Sequence, residues 1–390
     1  MNTKKAGKSP VKSSLAERMI ALSKSPFAKK LGESFLLKRT DIYFPTNIPM
    51  LNLALSGDIR NGLPTGVTTI AAPPKHFKSL FGLHAVEAYL KAEPDGVVIY
   101  YDSEFGATSE YFSRFDLDHD RIVHIPITTL EDLKTDLSVK LKSLYADFEK
   151  NKKITDKIMF YIDSVGNLPS DKEVDDAEND KQSADFTRAK VIKSIFRIVT
   201  TKINMMNIPM LVINHTYQTL EMYSKTVVSG GSGLQYASVN ILTITKAQET
   251  DNDKQLTGFK FTLVPLMSRY VREKAKMPIY VYFMKELPKY SGLFDIAKEY
   301  GLIEPCKVGT KNGWKFTLDP IGDEEPQEFK AINAEIHESE ELWGAIFKYT
   351  DFEQMLKQNF SVAAHEAPVL IIDKEDLEKY DYEDEEEDEK

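Results

Sequence analysis

The strongest constraint on the fold is an alternation, from about residue 44 onward, between short apolar runs and longer segments of helical pattern. Continuous apolar runs rich in β-branched and aromatic residues predict strands buried on both faces, and segments 78–92 and 184–207 predict helices between them. Strands connected through helices favour a mostly parallel sheet covered on both sides, so we predict an α/β fold. The predicted strands are 67–73, 96–102, 157–163 and 208–214, followed by VNILTIT, GFKFTLVPL and MPIYVYF.

Composition divides the 390 residues into five parts. Residues 1–13, rich in Lys, Ser, Gly and Pro, are predicted to be a disordered basic tail. Residues 373–390, with twelve Asp/Glu against three Lys, are predicted to be a disordered acidic tail. Between the tails we place an N-terminal segment, a core and a C-terminal extension, at 14–44, 45–320 and 321–372.

The net charge of −10 is unevenly distributed, since residues 1–40 hold ten Lys/Arg against two Glu. A basic head and an acidic tail on a mildly acidic body are typical of a chain that handles a polyanion. The alternative is that both ends only keep the chain in solution.

A short helix is predicted near the N-terminus, because Ser14 followed by Glu17 is a capping-box signature. A helix this small needs a surface to pack on, which is either its own core or a neighbouring protomer. Its apolar side chains are Leu15, Met19, Ile20 and Leu22.

Several classes of protein are excluded by what the sequence lacks. No run approaches the roughly 18 apolar residues that a membrane span needs, and we expect no secretion signal at the N-terminus. The single cysteine, Cys306, excludes an internal disulfide framework and fits a reducing compartment. We therefore expect a cytoplasmic protein that does not contact membranes.

The loop AAPPKHFKSL, residues 71–80, follows the first predicted strand and resembles a phosphate-binding loop (P-loop), G-x-x-x-x-G-K-[ST]. Lys78 and Ser79 stand where that motif places them, but Ala72 and Phe77 occupy its two glycine positions. If both adopt left-handed backbone angles, each costs about 1–2 kcal/mol, although Phe77 can pack as well. The predicted nucleotide-binding residues of the loop are Ala72, Pro73, Pro74, Lys75, His76, Phe77, Lys78, Ser79 and Leu80.

The other predicted strands also end in polar residues, namely Glu104, Asp163 and His215. Because ligands of such sheets bind outside the carboxyl ends of the strands, we expect these side chains to meet at one edge. Together with Lys78 and Ser79 they supply a cationic clamp, a magnesium-binding hydroxyl, an acid and a base, which are the parts that phosphoryl transfer requires. The sequence therefore predicts a nucleoside triphosphate site.

With these residues, the chain resembles the RecA-fold DNA strand-exchange recombinases, and most closely the UvsX type of tailed phages. The resemblance covers about residues 45–320, which it implies to be a RecA-like ATPase core. Phe77 is expected in that branch, whereas Ala72 departs from it. The stretches that carry the resemblance are KHFKS, YYDSEFG, YIDSVGNL, FTRAKVIKSIFRIVT, IPMLVINHTY and YSGLFD.

The resemblance implies a role for each residue at the strand ends. Glu104 is similar to the general base that activates water, and Lys78 to the clamp on the phosphates. Ser79 and Asp163 resemble the magnesium site. Tyr111 lies where members of the family stack an aromatic ring on adenine. The implied cofactors are therefore ATP and Mg²⁺.

Two further residues resemble parts that act across the filament. His215 is similar to a sensor of the γ-phosphate that reports nucleotide state to the DNA site. Arg269, in LMSRYVREK, resembles a cation that a neighbouring protomer supplies to ATP, as an arginine finger in trans. Met267 stands where relatives carry a second cation.

DNA contacts are predicted in a polar, glycine-containing loop at 216–233 and on the helix 184–207. Tyrosines offer stacking faces to single-stranded DNA, a lysine offers charge, and glycines allow the loop to refold. Lys190 and Arg197, seven residues apart, resemble the contacts that the family makes with DNA phosphates. The loop residues are Tyr217, Tyr223, Lys225, Gly230 and Gly231.

A second loop, 168–184, is strongly acidic, which argues against a grip on DNA phosphates. Only the backbone, Lys172 and Lys181 are candidates for a DNA contact there.

The resemblance implies an ATP-dependent recombinase that forms a helical filament on single-stranded DNA and exchanges strands with a homologous duplex. It also implies a DNA-dependent ATPase activity, head-to-tail self-association, a single-strand-binding protein and a loading mediator. One alternative is a non-catalytic recombination mediator, against which Glu104 counts. Another is a hexameric RecA-fold helicase, which a closed ring would favour.

Overall fold

The computed structural model describes residues 14–34, 42–151, 156–179, 187–219, 226–250, 254–283, 287–319 and 325–362. The predictions for the tails at 1–13 and 373–390 lie outside these residues. No helix among the described residues is long and apolar enough to cross a bilayer.

The centre of the molecule is a sheet whose described strands run in the order β11-β10-β9-β3-β7-β6-β4-β5, with β8 paired to the end of β7. The strands from β9 to β5 in this order are parallel, whereas β10, β11 and β8 are antiparallel to their neighbours. The predicted α/β class with a mostly parallel sheet is confirmed. The strands are β3 (Gly66–Ala72), β4 (Val97–Asp102), β5 (Ile122–Pro126), β6 (Ile158–Asp163), β7 (Pro209–Gln218), β8 (Thr226–Val228), β9 (Ser238–Thr250), β10 (Leu256–Ser268) and β11 (Met277–Tyr282).

Helices cover both faces of this sheet. A two-stranded sheet, β1 (Tyr43–Phe44) with β2 (Leu63–Pro64), lies at its margin. The helices before the C-terminal region are α1 (Leu15–Leu22), α2 (Pro49–Ser56), α3 (Lys78–Ala92), α4 (Ser109–Phe112), α5 (Leu130–Asn151), α6 (Asp171–Glu178), α7 (Thr187–Met206) and α8 (Ser232–Ala237). The predicted helix at 78–92 is confirmed, and the one at 184–207 is present from Thr187 to Met206.

Alternating side chains of the strands enter two separate cores. In β6, Met159 and Tyr161 join one cluster, while Phe160 and Ile162 join the other. A strand that is apolar at every position therefore has both of its faces buried. Each large apolar side chain buried in this way contributes about 1.5–3 kcal/mol, so both helical layers are held firmly against the sheet.

Helix α1 has the predicted capping box, in which the Glu17 N–H donates to Ser14 Oγ at 3.3 Å and the Ser14 N–H to Glu17 Oε2 at 2.9 Å. None of its residues is buried, and Leu22 is 76% exposed. Beyond the helix, Phe27 stacks on Phe148 of α5 with ring centroids 5.1 Å apart. The segment is thus anchored to its own core by Phe27, and no described residue buries the apolar side of α1.

The C-terminal region forms a three-stranded antiparallel sheet that packs with helices against the core. The division predicted at residue 320 falls between β13 and β14, so the structure places residues from both sides of it in one sheet. The elements are α9 (Leu293–Glu299), β12 (Glu304–Val308), β13 (Lys311–Leu318), β14 (Gln327–Ile332), α10 (Glu340–Tyr349) and α11 (Phe352–Phe360).

Candidate functional site

The carboxyl ends of four neighbouring strands, β3, β7, β6 and β4, meet at one edge of the sheet. The register pairs Ala72 of β3 with His215 of β7, and Asp102 of β4 with Asp163 of β6. The polar residues that follow or end these strands are therefore brought together, as the sequence predicts.

The loop after β3 contains two left-handed residues, Lys75 at φ 60° and Phe77 at φ 54°. Of the two residues at the glycine positions, Phe77 is thus left-handed, whereas Ala72 stays in the strand and is fully buried. Pro73 and Pro74 follow Ala72 with φ fixed by their rings, so the chain makes its left-handed turn only after them. Phe77 is also packed, because its ring centroid lies 5.1 Å from that of Phe261.

Substitution by glycine at Lys75 and at Phe77 is expected to change the stability of the fold in opposite directions. The Lys75 side chain is exposed, so Lys75→Gly should relieve backbone strain and stabilise the fold by up to about 1 kcal/mol. Phe77→Gly relieves the same strain but removes the ring contacts to Phe259 and Phe261, so it should destabilise the protein. Urea unfolding of both variants measures this, and a stabilised Phe77→Gly would show that the packing is unimportant.

Lys78 is buried at the start of α3, and its Nζ donates to Pro73 O at 3.2 Å. Burial lowers the pKa of Lys78, while the carboxylates of Glu104 and Asp163 act in the opposite direction. The ammonium therefore lies between two acidic groups, in a position to hold an anion at the mouth of the loop.

Asp163 ends β6 in a buried environment, which raises the pKa of its carboxyl group to about 6. The Tyr161 hydroxyl donates to Asp163 Oδ2 at 3.0 Å, and the Ser79 hydroxyl near this carboxylate acts to lower its pKa. Asp163 Oδ1 is buried and has no hydrogen-bond partner among the described residues. A buried carboxylate oxygen left unsatisfied beside a hydroxyl is suited to a cation or an ordered water.

Glu104 interacts with the ends of two other strands. The Ser164 hydroxyl donates to Glu104 Oε1 at 2.7 Å, and His215 Nε2 lies 3.2 Å from the same oxygen. The hydrogen bond with His215, followed by that with Ser164, lowers the pKa of Glu104 to about 2. The carboxylate is therefore strongly stabilised in its ionised form.

The direction of Glu104 is set by Asp102, the last residue of β4. Asp102 Oδ1 accepts the backbone N–H groups of Glu104 at 3.0 Å and Phe105 at 2.9 Å, and Phe105 adopts φ 49°. This is the turn that an Asp side chain makes with the backbone two residues on. Neither Asp102 nor Ser164 was among the predicted site residues, although an Asp at a strand end followed by polar residues is a recognisable turn signal.

Lys78, Ser79, Asp102, Glu104 and Asp163 line a cavity of about 230 Å³. Tyr111 also lines it, and burial raises the pKa of this tyrosine to about 12. Of the predicted loop residues, 75–79 line the cavity. The remaining four do not, because they lie in the strand, before the turn or inside the helix; they are Ala72, Pro73, Pro74 and Leu80.

Arg269 follows β10, is exposed, and donates its backbone N–H to Val239 O at 3.0 Å. Val239 lies at the start of β9, which is parallel to β3, so this end of the sheet is the one where β3 begins. The cavity lies beyond the last residue of β3, a strand of seven residues or about 20 Å. Arg269 therefore lies at the opposite edge of the sheet from the cavity of its own chain.

The described parts of the two predicted DNA loops contain regular secondary structure. Strand β7 extends to Gln218, where it pairs with β8, so Tyr217 belongs to a hairpin and is 55% exposed. The loop predicted at 168–184 contains α6, which begins with a capping box between Ser170 and Glu173. Tyr223, Lys225 and Lys181 lie outside the described residues.

The structure describes two glycines and two cations of the predicted DNA site. Gly230 and Gly231 have φ of 90° and 72°, angles that other residues rarely adopt. Lys190 and Arg197 are both exposed on α7, on the side away from its buried residues. Their contact with DNA stays a prediction.

The comparisons with known proteins agree with this architecture. No family model matches the chain. A "Recombination and repair protein" of Enterobacteria phage T4 is 39% identical over 361 residues, which cover 92% of this chain and 89% of the relative. The fold is that of an α/β protein with a mostly parallel sheet, compatible with a RecA-like core. Within that class, the chain belongs to the family of phage recombination and repair proteins.

Proposed function

We propose that this protein is an ATP-dependent DNA recombinase that assembles on single-stranded DNA and exchanges strands with a homologous duplex. The observation that supports this most is the convergence of Lys78, Glu104 and Asp163 on one cavity, with His215 Nε2 3.2 Å from Glu104, in a chain of the recombination and repair family. The recombination role rests on that family, and the ATPase activity on the cavity.

The triphosphate would bind at the N-terminus of α3. Residues 75–79 line the cavity at the start of α3, where the helix dipole favours negative charge, and their backbone N–H groups would bind the phosphates. Lys78 would neutralise the phosphate charge that approaches its two carboxylate neighbours. Tyr111, on the wall of the same cavity, offers a ring face to the base.

Magnesium would be held by Ser79 and Asp163, whose unsatisfied Oδ1 supplies the vacant acceptor. No cluster of three or more His, Cys, Asp or Glu suited to a metal occurs among the described residues, so the remaining ligands would be phosphate oxygens and water. When bound, the ion supplies charge stabilisation to the phosphates.

Glu104 would accept the proton of the attacking water. A carboxylate with a pKa of about 2 is a weak base, because general bases work best with a pKa near the operating pH. The hydrogen bonds from His215 and Ser164 must therefore loosen during turnover. His215 can do this by turning toward the γ-phosphate, which links the state of the nucleotide to β7.

Completion of the site would require a second copy of the chain. Arg269 lies at the edge opposite its own cavity, so it can reach only the nucleotide of a neighbour. Such a head-to-tail contact is heterologous and generates either an open filament or a closed ring. We propose the filament, with α1 as a further contact between protomers.

DNA would bind along α7 and the β7–β8 hairpin. Lys190 and Arg197 would contact phosphates, and Tyr217 would stack on a base, at about 1–3 kcal/mol per base. Neither kind of contact reads sequence, which suits a protein whose specificity comes from base pairing. Its partners would be a single-strand-binding protein and a loading mediator, in the cytoplasm of the infected cell.

The hydrogen bond from Ser164 gives a prediction for pH dependence. The lowered pKa of Glu104 keeps it ionised at every pH above about 2. Ser164→Ala removes one of the donors that lower this pKa, so Glu104 should titrate at higher pH in the variant. NMR titration of the Glu104 carboxyl group from about pH 2 to about pH 7, compared with that in Ser109→Ala on the exposed side of α4, measures the shift. An unchanged titration of Glu104 would contradict the role of Ser164.

The function is tested by ATP hydrolysis with and without single-stranded DNA, followed by strand exchange with a homologous duplex. We expect hydrolysis to be stimulated by DNA and to accompany strand exchange. Hydrolysis that is indifferent to DNA would indicate a different ATPase. Absence of hydrolysis would favour the mediator, and closed rings in electron micrographs would favour the helicase.

A further inference from the structure

Arg188, in the first turn of α7, connects three segments that border the candidate site. Its Nε donates to Leu168 O at 2.9 Å, and its Nη2 donates to Val165 O at 3.2 Å and to Gly166 O at 2.8 Å. Its Nη1 donates to Ser229 Oγ at 3.3 Å. One half-buried guanidinium thus joins the turn after β6 to the segment after β8.

The residues that Arg188 holds are in direct contact with His215. The Ser229 N–H donates to His215 O at 2.9 Å, and Asn214 Nδ2 donates to Ser229 O at 2.8 Å. On the other side, a Cβ added to Gly166 would lie 2.4 Å from His215 Cδ2, so this turn touches the imidazole. A displacement of Arg188 would therefore move residues that contact His215, which in turn holds Glu104.

We propose that Arg188 couples DNA bound along α7 to the Glu104–His215 pair, an inference that rests on the proposed function. Lys190 and Arg197 lie on the same helix as Arg188, so DNA on them acts on the helix that carries the guanidinium. DNA binding would shift Arg188 against the turn after β6 and Ser229, and would release His215 from Glu104. Gly230 and Gly231, both left-handed, allow the segment after β8 to rearrange.

The coupling that we propose depends on the several N–H donors of the Arg188 guanidinium. Arginine presents several donors in one rigid plane, whereas lysine offers a single charged centre. Arg188→Lys therefore keeps the charge near the DNA but cannot hold Ser229 and the turn after β6 at the same time. This variant therefore distinguishes the coupling between the two sites from a simple electrostatic attraction between residue 188 and DNA.

We expect Arg188→Lys to lose most of the stimulation by single-stranded DNA, read as the ratio of ATP hydrolysis with DNA to hydrolysis without it, because lysine cannot hold Ser229 and the turn after β6 together in either state. Coupling between sites typically changes affinity by about 5–150-fold, so the effect of a non-hydrolysable ATP analogue on the affinity for single-stranded DNA should fall by about fivefold or more in this variant. Ser229→Ala should lose part of the stimulation, and the double variant should lose less than the sum of both.

Arg121→Lys is the matched control. Arg121 is also partly buried and donates through Nη1 to Leu90 O at 3.1 Å and to Glu93 O at 2.9 Å, but it lies beside β5, away from α7. We expect this variant to lose thermal stability as Arg188→Lys does, while its stimulation by DNA stays intact.

Two results would overturn the inference and leave the proposed function standing. One is full stimulation of Arg188→Lys by DNA. The other is a loss of stimulation that is wholly explained by weaker DNA binding in the absence of nucleotide, which would make Arg188 an ordinary DNA contact. A wild-type protein without hydrolysis, and without any effect of nucleotide on DNA affinity, would instead reject both the proposed function and the coupling.

Discussion

Glu104→Gln is expected to reduce ATP hydrolysis by about 10²–10⁴-fold, the usual contribution of a general base. The amide has the same shape and its oxygen can still accept the hydrogen bond from Ser164, but it cannot take a proton from water. Nucleotide affinity should therefore be unchanged. Phosphate release at saturating ATP and DNA measures the first effect, and titration with a fluorescent ATP analogue measures the second.

Glu110→Gln provides the comparison, because it removes one negative charge from the exposed surface of α4, near the same cavity. It should hydrolyse ATP at the wild-type rate. If Glu104→Gln also kept that rate, the base would have to lie elsewhere. If it lost nucleotide affinity instead, Glu104 would act in binding.

Lys78→Met is expected to weaken ATP binding by about 30-fold or more, as removal of one partner of a buried charge pair costs at least about 2 kcal/mol. Methionine keeps the length and the packing of the buried side chain but leaves Glu104 and Asp163 without their shared cation. Phosphates would then approach two uncompensated carboxyl groups. Calorimetric titration with ATP and Mg²⁺ measures the change.

Lys75→Asn tests whether this effect is specific to the buried ammonium. Lys75 lies in the same loop with its side chain exposed, and Asn tolerates its left-handed backbone better than most residues. Its loss should change ATP affinity by only a few-fold. An equal loss in both variants would show that general positive charge, and not the position of Lys78, attracts the nucleotide.

The sheet could be predicted because its strands are apolar at every position and end abruptly in polar residues. Asp163 closes β6 after five residues of such a run, and Glu104 follows β4 in the same way. The polar residues that were predicted at the ends of successive strands are therefore found close together in the structure. The extension of β7 to Gln218 was not predictable, since it depends on pairing with β8.

Inside the site, the residue types were predictable and their hydrogen bonds were not. Ser164 contacts Glu104 only because β4 and β6 are neighbours in register, with Asp102 opposite Asp163. Sequence spacing contains no such information. The left-handed position at Lys75 was missed for a related reason, because the path of the chain after two prolines is decided by the surrounding core.

The placement of Arg269 and of the nucleotide cavity at opposite edges of one sheet has an arithmetic consequence. Each copy would carry the nucleotide cavity at one end and Arg269 at the other, and a complete catalytic unit needs the cavity of one copy with the Arg269 of the next. A lone protomer therefore has no complete unit. An open row of n protomers has n − 1 complete units, whereas a closed ring has n. The rate of ATP turnover per protomer should then rise with the length of the row and level off. At equal protein mass, a sample of short rows should hydrolyse ATP more slowly than a sample of long rows.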